Sequence, residues 1–171
     1  TSVSSIAGNT IVSIEEDKQG NLWLGTLNSG LSIFNVESGH FFNYYSNNLD
    51  PKSLSFNTVN AIYADRNGDM WLGTHNGGVN FVQERQFQHY YVKSYDGVGL
   101  SDNNTTSFVE DIHGKIWVGT DGGGINVLSR HSDTFQYLQS TGDRSSISTD
   151  VITCMKHGTG NYIWIGYWNG G

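Results

Sequence analysis

The chain has 171 residues, enough for one domain with a substantial core or for several small repeated units. With 22 Gly, one Pro, five Trp, nine Tyr and eight Phe against only three Ala (Ala7, Ala61 and Ala64), it has little intrinsic drive toward helix and much toward short strands and tight turns. A net charge of −7 with scattered basic residues argues against nucleic acid or an anionic membrane surface as partner, because both repel it at long range.

The predicted elements repeat in chain order. NTIVSIEED (9–17) leads to LWLGTLNSG (22–30), then LSIF and FFNYY; NTVNAIYAD (57–65) leads to MWLGTHNGG (70–78), then VNFV and FQHYY. NNTTSFVED (103–111) leads to IWVGTDGGG (116–124), INVL and FQYLQ, and DVITCMKHG (150–158) leads to IWIGYWNGG (163–171), where the fourth copy stops halfway. Trp23, Trp71, Trp117 and Trp164 are spaced by 48, 46 and 47 residues, and Gly30, Gly78, Gly124 and Gly171 each follow seven residues later. Asn9, Asn57, Asn103 and Asp150 each stand fourteen residues before the Trp, and Ile6, Leu54, Leu100 and Ile147 three residues before those.

Four short apolar runs in about 47 residues is the size of a propeller blade, whereas the other repeats of that length are helical. The expectation is an all-β protein of four-stranded antiparallel blades, about three and a half of a larger propeller. The blades span about 9–48, 57–94 and 103–140, with a half blade at about 150–171. Small residues recur on the first strands at Ser13, Ala61, Ser107 and Cys154, so Cys154 reads as a small core residue. Asp17, Asp65 and Asp111 open four-residue turns that close on Gly20, Gly68 and Gly114; in the fourth copy HGTGNYIW lacks the Asp and shifts the glycine.

Chemical motifs are scarce. GTDGGG at 119–124 lacks the Lys-Ser/Thr and the helix of a phosphate loop, so it reads as a turn. Glu15-Glu16-Asp17 and Glu110-Asp111 read as solvated turn charges and not as an acid and base pair. The histidines (His40, His75, His89, His113, His131 and His157) have no ligand spacing, and DRNGD at 65–69 lacks the alternating ligands of a calcium loop, so no metal or cofactor is expected. No nucleophile is marked, and no catalytic residue is assigned.

Variation inside the fixed frame is more informative. After the repeated Gly the copies read TLNS, THNG, TDGG and YWNG, which brings Leu27, His75, Asp121, Tyr167 and Trp168 to corresponding turns at one end of the channel. Tyr167 and Trp168 offer the flat apolar face and polar edge that stack on a sugar ring or a partner surface; the alternative is that they fill space beside a neighbouring blade. Trp168, Tyr167, His75 and Asp121 are the candidate ligand residues.

NTIVSIEEDKQGNLWLGTLNSGLSIF and NTVNAIYADRNGDMWLGTHNGGVNFV resemble the two-component regulator propeller repeats of extracytoplasmic sensors in hybrid two-component systems. Tyr167 departs from the usual Thr of the repeat. The resemblance implies a seven-bladed propeller whose remaining blades, membrane span, histidine kinase and DNA-binding output belong to a longer parent. It also implies a periplasmic location, an oligosaccharide ligand, and control of polysaccharide-utilisation genes through a phosphorelay outside this chain. This segment itself is then expected to be no enzyme and to contact neither membrane nor nucleic acid. Its open flanks allow association with a second copy. A protein-interaction scaffold and a glycan-acting propeller enzyme, sialidase-like or a lyase, are the alternatives.

Overall fold

A computed structural model describes residues 2–83, 86–92, 99–129 and 134–169. Gly171 and His131 lie outside the described residues. Blade 1 comprises β2 (Ile11–Glu16), β3 (Leu22–Thr26), β4 (Leu31–Asn35) and β5 (His40–Tyr44), paired antiparallel in that order. Blade 2 repeats this with β6 (Val59–Ala64), β7 (Met70–Thr74), β8 (Val79–Gln83) and β9 (Gln86–Tyr90). Blade 3 uses β10 (Thr105–Glu110), β11 (Ile116–Thr120), β12 (Ile125–Leu128) and β13 (Phe135–Leu138), and the half blade is β14 (Ile152–His157) with β15 (Ile163–Tyr167). The protein is thus a partial propeller of about three and a half blades.

One element had no signal in the sequence: β1 (Ser2–Val3) pairs antiparallel with β5 and makes blade 1 a five-stranded sheet. Two residues are too few to show a period.

The first strands β2, β6, β10 and β14 stand beside one another, and each carries a bulge at the same place, Ile11/Ser13, Val59/Ala61, Thr105/Ser107 and Ile152/Cys154. The bulge increases local twist and turns the strand end toward the axis. Opposite it lies the repeated Gly of the LGT phrase. A Cβ on Gly25 would come within 2.5 Å of the Val59 carbonyl oxygen, one on Gly73 within 2.5 Å of Thr105 Cγ2, and one on Gly119 within 2.7 Å of Ile152 Cγ2. The glycine is required because the next blade's first strand presses against it.

Between blades lie three apolar clusters. Trp23 and Leu31 of blade 1 meet Val59, Ile62, Met70, Leu72 and Phe87 of blade 2; Trp71, Val79 and Phe81 meet Phe108, Ile116, Val118 and Leu128 of blade 3; Val109, Ile125 and Val127 meet Ile152 and Met155 of the half blade. Each Trp therefore packs on the following blade. Trp23 is 8% exposed and Trp71 0%, but Trp164, with no blade after it, is 71% exposed. For the same reason Cys154 is exposed, which corrects its assignment to the core. Its counterpart Ser13 is half-buried and donates to the Val59 carbonyl of the next blade, a partner that Cys154 lacks.

The Asp carboxylates bond their turn amides and also anchor the following Trp, which corrects the reading of Asp17 and Asp111 as solvated charges. Asp17 Oδ1 accepts from the amides of Gln19 and Asn21 at 2.9 Å, and the same oxygen of Asp65 and Asp111 accepts from Asn67, Asp69, His113 and Lys115. The other oxygen accepts the indole N–H six residues on: Trp23 to Asp17 at 2.9 Å, Trp71 to Asp65 at 2.8 Å and Trp117 to Asp111 at 3.1 Å. Gly158 occupies the Asp position of the fourth copy, so Trp164 loses this acceptor. Glu110 is likewise buried, and accepts from Arg66 Nε at 2.8 Å and from the Arg66 amide at 2.8 Å across the seam of blades 2 and 3.

Candidate ligand-binding face

The end of the blades opposite the Asp turns carries the second-to-third strand turns. In blades 1 to 3 the Thr hydroxyl closes the turn on the Gly carbonyl: Thr26 to Gly30 at 2.7 Å, Thr74 to Gly78 at 2.9 Å, Thr120 to Gly124 at 2.8 Å. Gly30, Gly78 and Gly124 adopt φ of 78°, 68° and 76°, and a Cβ there would strike the carbonyl oxygen of Tyr44, Tyr90 or Leu138. No side chain fits, so these positions present none to a ligand.

The residue after each Thr is fixed in turn. The amides of Leu27, His75, Asp121 and Trp168 donate to the carbonyls of Thr10, Thr58, Asn104 and Val151 at 3.0, 3.1, 3.0 and 3.0 Å, at the start of their own blade's first strand. All four side chains are exposed, with Trp168 at 66%. The fold thus brings Leu27, His75, Asp121 and Trp168 to equivalent places at the end of the blades opposite the Asp turns. Tyr167 is placed differently: it takes the Thr position inside β15 and packs half-buried against the third cluster. Trp168 therefore projects without Tyr167 as an exposed partner.

Polar groups link the turns across the seams. Asn60 Nδ2 donates to Asn104 Oδ1 at 3.1 Å and Asn104 Nδ2 to Asp121 Oδ2 at 2.9 Å, while Thr58 Oγ1 donates to Asn28 Oδ1 at 2.9 Å and accepts from the Asn28 amide at 3.0 Å. Sequence reasoning missed Asn60, Asn104 and Thr58. The signal for Thr58 and Asn104 was available: Thr10, Thr58, Asn104 and Val151 vary at one repeat position, as the turn residues do. His75 lies with its ring 6.4 Å from Phe56 of the interblade connection. The result is a row of apolar, imidazole, carboxylate and indole side chains at equivalent turns.

At the other end, the acidic groups have distinct electrostatics. Burial works against charge on Asp17 and Asp111, but the bonds from the Trp23 and Trp117 indoles and the turn amides outweigh it and hold both below the ordinary carboxylate value. Burial pushes the Glu15 carboxyl up, against a backbone hydrogen bond from Ala64 that lowers it, and pushes the Tyr63 phenol up. Among the described residues no group of three or more His, Cys, Asp or Glu side chains is placed to hold a metal ion.

Comparison with known proteins agrees with this architecture. The two component regulator propeller family matches residues 5–28, 53–76 and 99–122. The extracellular domains of two B. thetaiotaomicron proteins assigned to hybrid two-component systems superpose with TM-scores of 0.83 and 0.76 at 23% and 26% identity. They match 96% and 94% of this chain and 23% of each of those. This chain therefore spans less than a quarter of their length. Virginiamycin B lyase from Staphylococcus aureus superposes with a TM-score of 0.68 at 13% identity, over 98% of this chain and 52% of that one, which is a likeness of fold alone. No curated protein matches. The Asp turn, the packed Trp, the close-approach Gly and the Thr-closed turn recur in each of the three matched stretches and their immediate continuation, and in these stretches the chain is similar to the two-component regulator propeller family.

Proposed function

We propose that this segment is the ligand-reading part of an extracytoplasmic sensor in a hybrid two-component system, located in the periplasm. Its ligand is an oligosaccharide, held at the channel mouth by stacking on Trp168 and hydrogen bonds to His75, Asp121 and the Asn60–Asn104 amides. Binding is reported by rearrangement of blades and downstream domains of a longer parent, whose kinase and DNA-binding modules control polysaccharide-utilisation genes. This chain contributes recognition and no catalysis.

The observation that carries this reading is the contrast at the turns. The amide bond that fixes the first turn residue repeats in all four copies, while the exposed side chain of that residue changes from Leu27 to His75, Asp121 and Trp168. Recognition surfaces are built in this way, on variable loops set by a rigid scaffold. The extracellular sensor domains among the structural neighbours supply the context.

Calorimetry of the complete extracytoplasmic region against an oligosaccharide panel tests it. One glycan class should give heat that Trp168→Ala abolishes and Leu27→Ala reduces less. An undisturbed titration in Trp168→Ala removes the site, and turnover of a glycan replaces the sensor with an enzyme. Binding of a polypeptide at the same turns, in place of any glycan, replaces it with an interaction scaffold.

A further inference from the structure

The seam between blades 1 and 2 opens into a cleft of about 560 Å³ at the Asp-turn end. That volume lies within the range of small-molecule sites, about 300–1,000 Å³. The next seam shows why this one is open. Trp23 pairs in register with Ile33, whereas Trp71 pairs with Phe81, whose ring centroid is 4.5 Å from the indole; Tyr90 stacks on the same indole at 6.1 Å. Trp71 is thereby sealed, with no exposed surface. In blade 1 the branched aliphatic Ile33 stands in place of that ring and lines the cleft, while Tyr44 lies edge-on to Phe87 at 5.8 Å just as Tyr90 does to Phe135 at 6.1 Å. The ion pair that closes the second seam is missing as well. Lys18 stands where Arg66 stands one repeat later, but Ala64 replaces Glu110, so the Lys18 ammonium donates to the Arg66 carbonyl at 3.1 Å instead.

We propose that this cleft is a second ligand site, for a single neutral sugar ring. Ile33, Phe42 and Val82 give it apolar walls, and Asp69, Gln19 and Gln83 stand along it as hydrogen-bonding groups. A pyranose presents this pairing, with C–H faces that lie on apolar walls and hydroxyls that reach carboxylate and amide at its edge. Charge narrows the class. Asp17 and Asp69 line the cleft, no Lys or Arg does among the described residues, and the chain carries −7, so uronates and sulfated sugars are repelled. A fully apolar ligand would strip water from these carboxylates and amides without replacing its hydrogen bonds. The site is separate from the channel mouth, since the five residues of β3 put about 16 Å between the two ends.

The repeat itself supplies the test. Ile33→Phe places the residue of the sealed seam in the open one. The readout is the Trp23 indole N–H resonance of the full chain, titrated with glucose, galactose and N-acetylglucosamine, with glucuronate as the anionic probe. At least one neutral sugar should move that resonance saturably and glucuronate should not. Ile33→Phe should weaken binding by about tenfold or more. Trp168→Ala should leave it unchanged, which separates this site from the channel mouth. Asp69→Asn, an isosteric change at the rim, should weaken binding severalfold and decides the matter if Ile33→Phe does not fold. An unmoved Trp23 resonance with all three neutral sugars overturns the proposal, as does tight binding of glucuronate. So does wild-type affinity in the folded variants.

Discussion

Asp17, Asp65 and Asp111 each tie a turn to the indole of the strand that follows, and the strength of that tie depends on burial. Asp65 is 4% exposed and accepts from Trp71, itself fully buried. Asp65→Asn keeps the shape but sets an amide N–H against a donor, so a loss of about 2 kcal/mol is expected, the scale of hydrogen bonds to a charged group. Chemical denaturation should also show a smaller loss for Asp17→Asn, whose turn is wetter; equal losses would mean that burial does not set the value. The same carboxylates predict a pH dependence. Asp17 and Asp111 are held below the ordinary value, so their stabilisation is complete above the unfolded value near ~3.9 and lost as pH falls through the lower folded one. The denaturation midpoint should therefore drop between pH 5 and 3 (roughly one unit either side of that value), and drop less in the Asp17→Asn/Asp111→Asn double variant. An unchanged slope in the double variant would assign the acid sensitivity elsewhere.

At the scale of the element, the blade is held at two kinds of glycine that look alike in sequence. Gly30, Gly78 and Gly124 need left-handed φ, while Gly25, Gly73 and Gly119 lie in the middle of strands and are needed for lack of a side chain. Gly25→Ala would drive a methyl at the Val59 carbonyl of the neighbouring first strand, a backbone atom that cannot step aside. Overpacking of this kind costs about 1–3 kcal/mol. Gly166→Ala is the internal comparison, because its Cβ would meet the Cys154 Sγ at 2.6 Å and no neighbouring blade. Thermal unfolding should rank Gly25→Ala well below Gly166→Ala; the reverse order would break the argument from blade approach. The four-strand unit and the interblade role of Trp23 were legible because each is written several times over. What was not legible occurs once. The Arg66–Glu110 pair joins residues 44 apart with no counterpart in the other seams, β1 is two residues long, and the cleft depends on comparing Ile33 with Phe81 across a register that only pairing reveals. The exposed turn residues were found from their variation, but the separation of Tyr167 from Trp168 was not, since a strand end puts adjacent side chains on opposite sides.

At the scale of the whole molecule, the seams are directional. Each blade offers a Trp-bearing flank to the blade after it and an apolar flank without Trp to the blade before it, and the three internal seams repeat that match. The outermost flanks are the same two halves without partners: Trp164 is 71% exposed on the half blade, and Ile14, which corresponds to the buried Ile62, is 60% exposed on blade 1. In a longer parent such flanks would receive further blades. For the chain alone the complementary surface at hand is the opposite flank of a second copy, a head-to-tail contact that closes into a ring or extends as a filament according to its rotation. Sedimentation of the isolated chain should therefore show association that rises with concentration. Trp164→Lys should suppress it with little change in thermal stability, because an exposed side chain without the Asp acceptor contributes little to its own blade. Association undiminished in Trp164→Lys and in Ile14→Lys would place the contact elsewhere, and a strictly monomeric, well-folded chain at high concentration would show that an open flank of this size is tolerated in water.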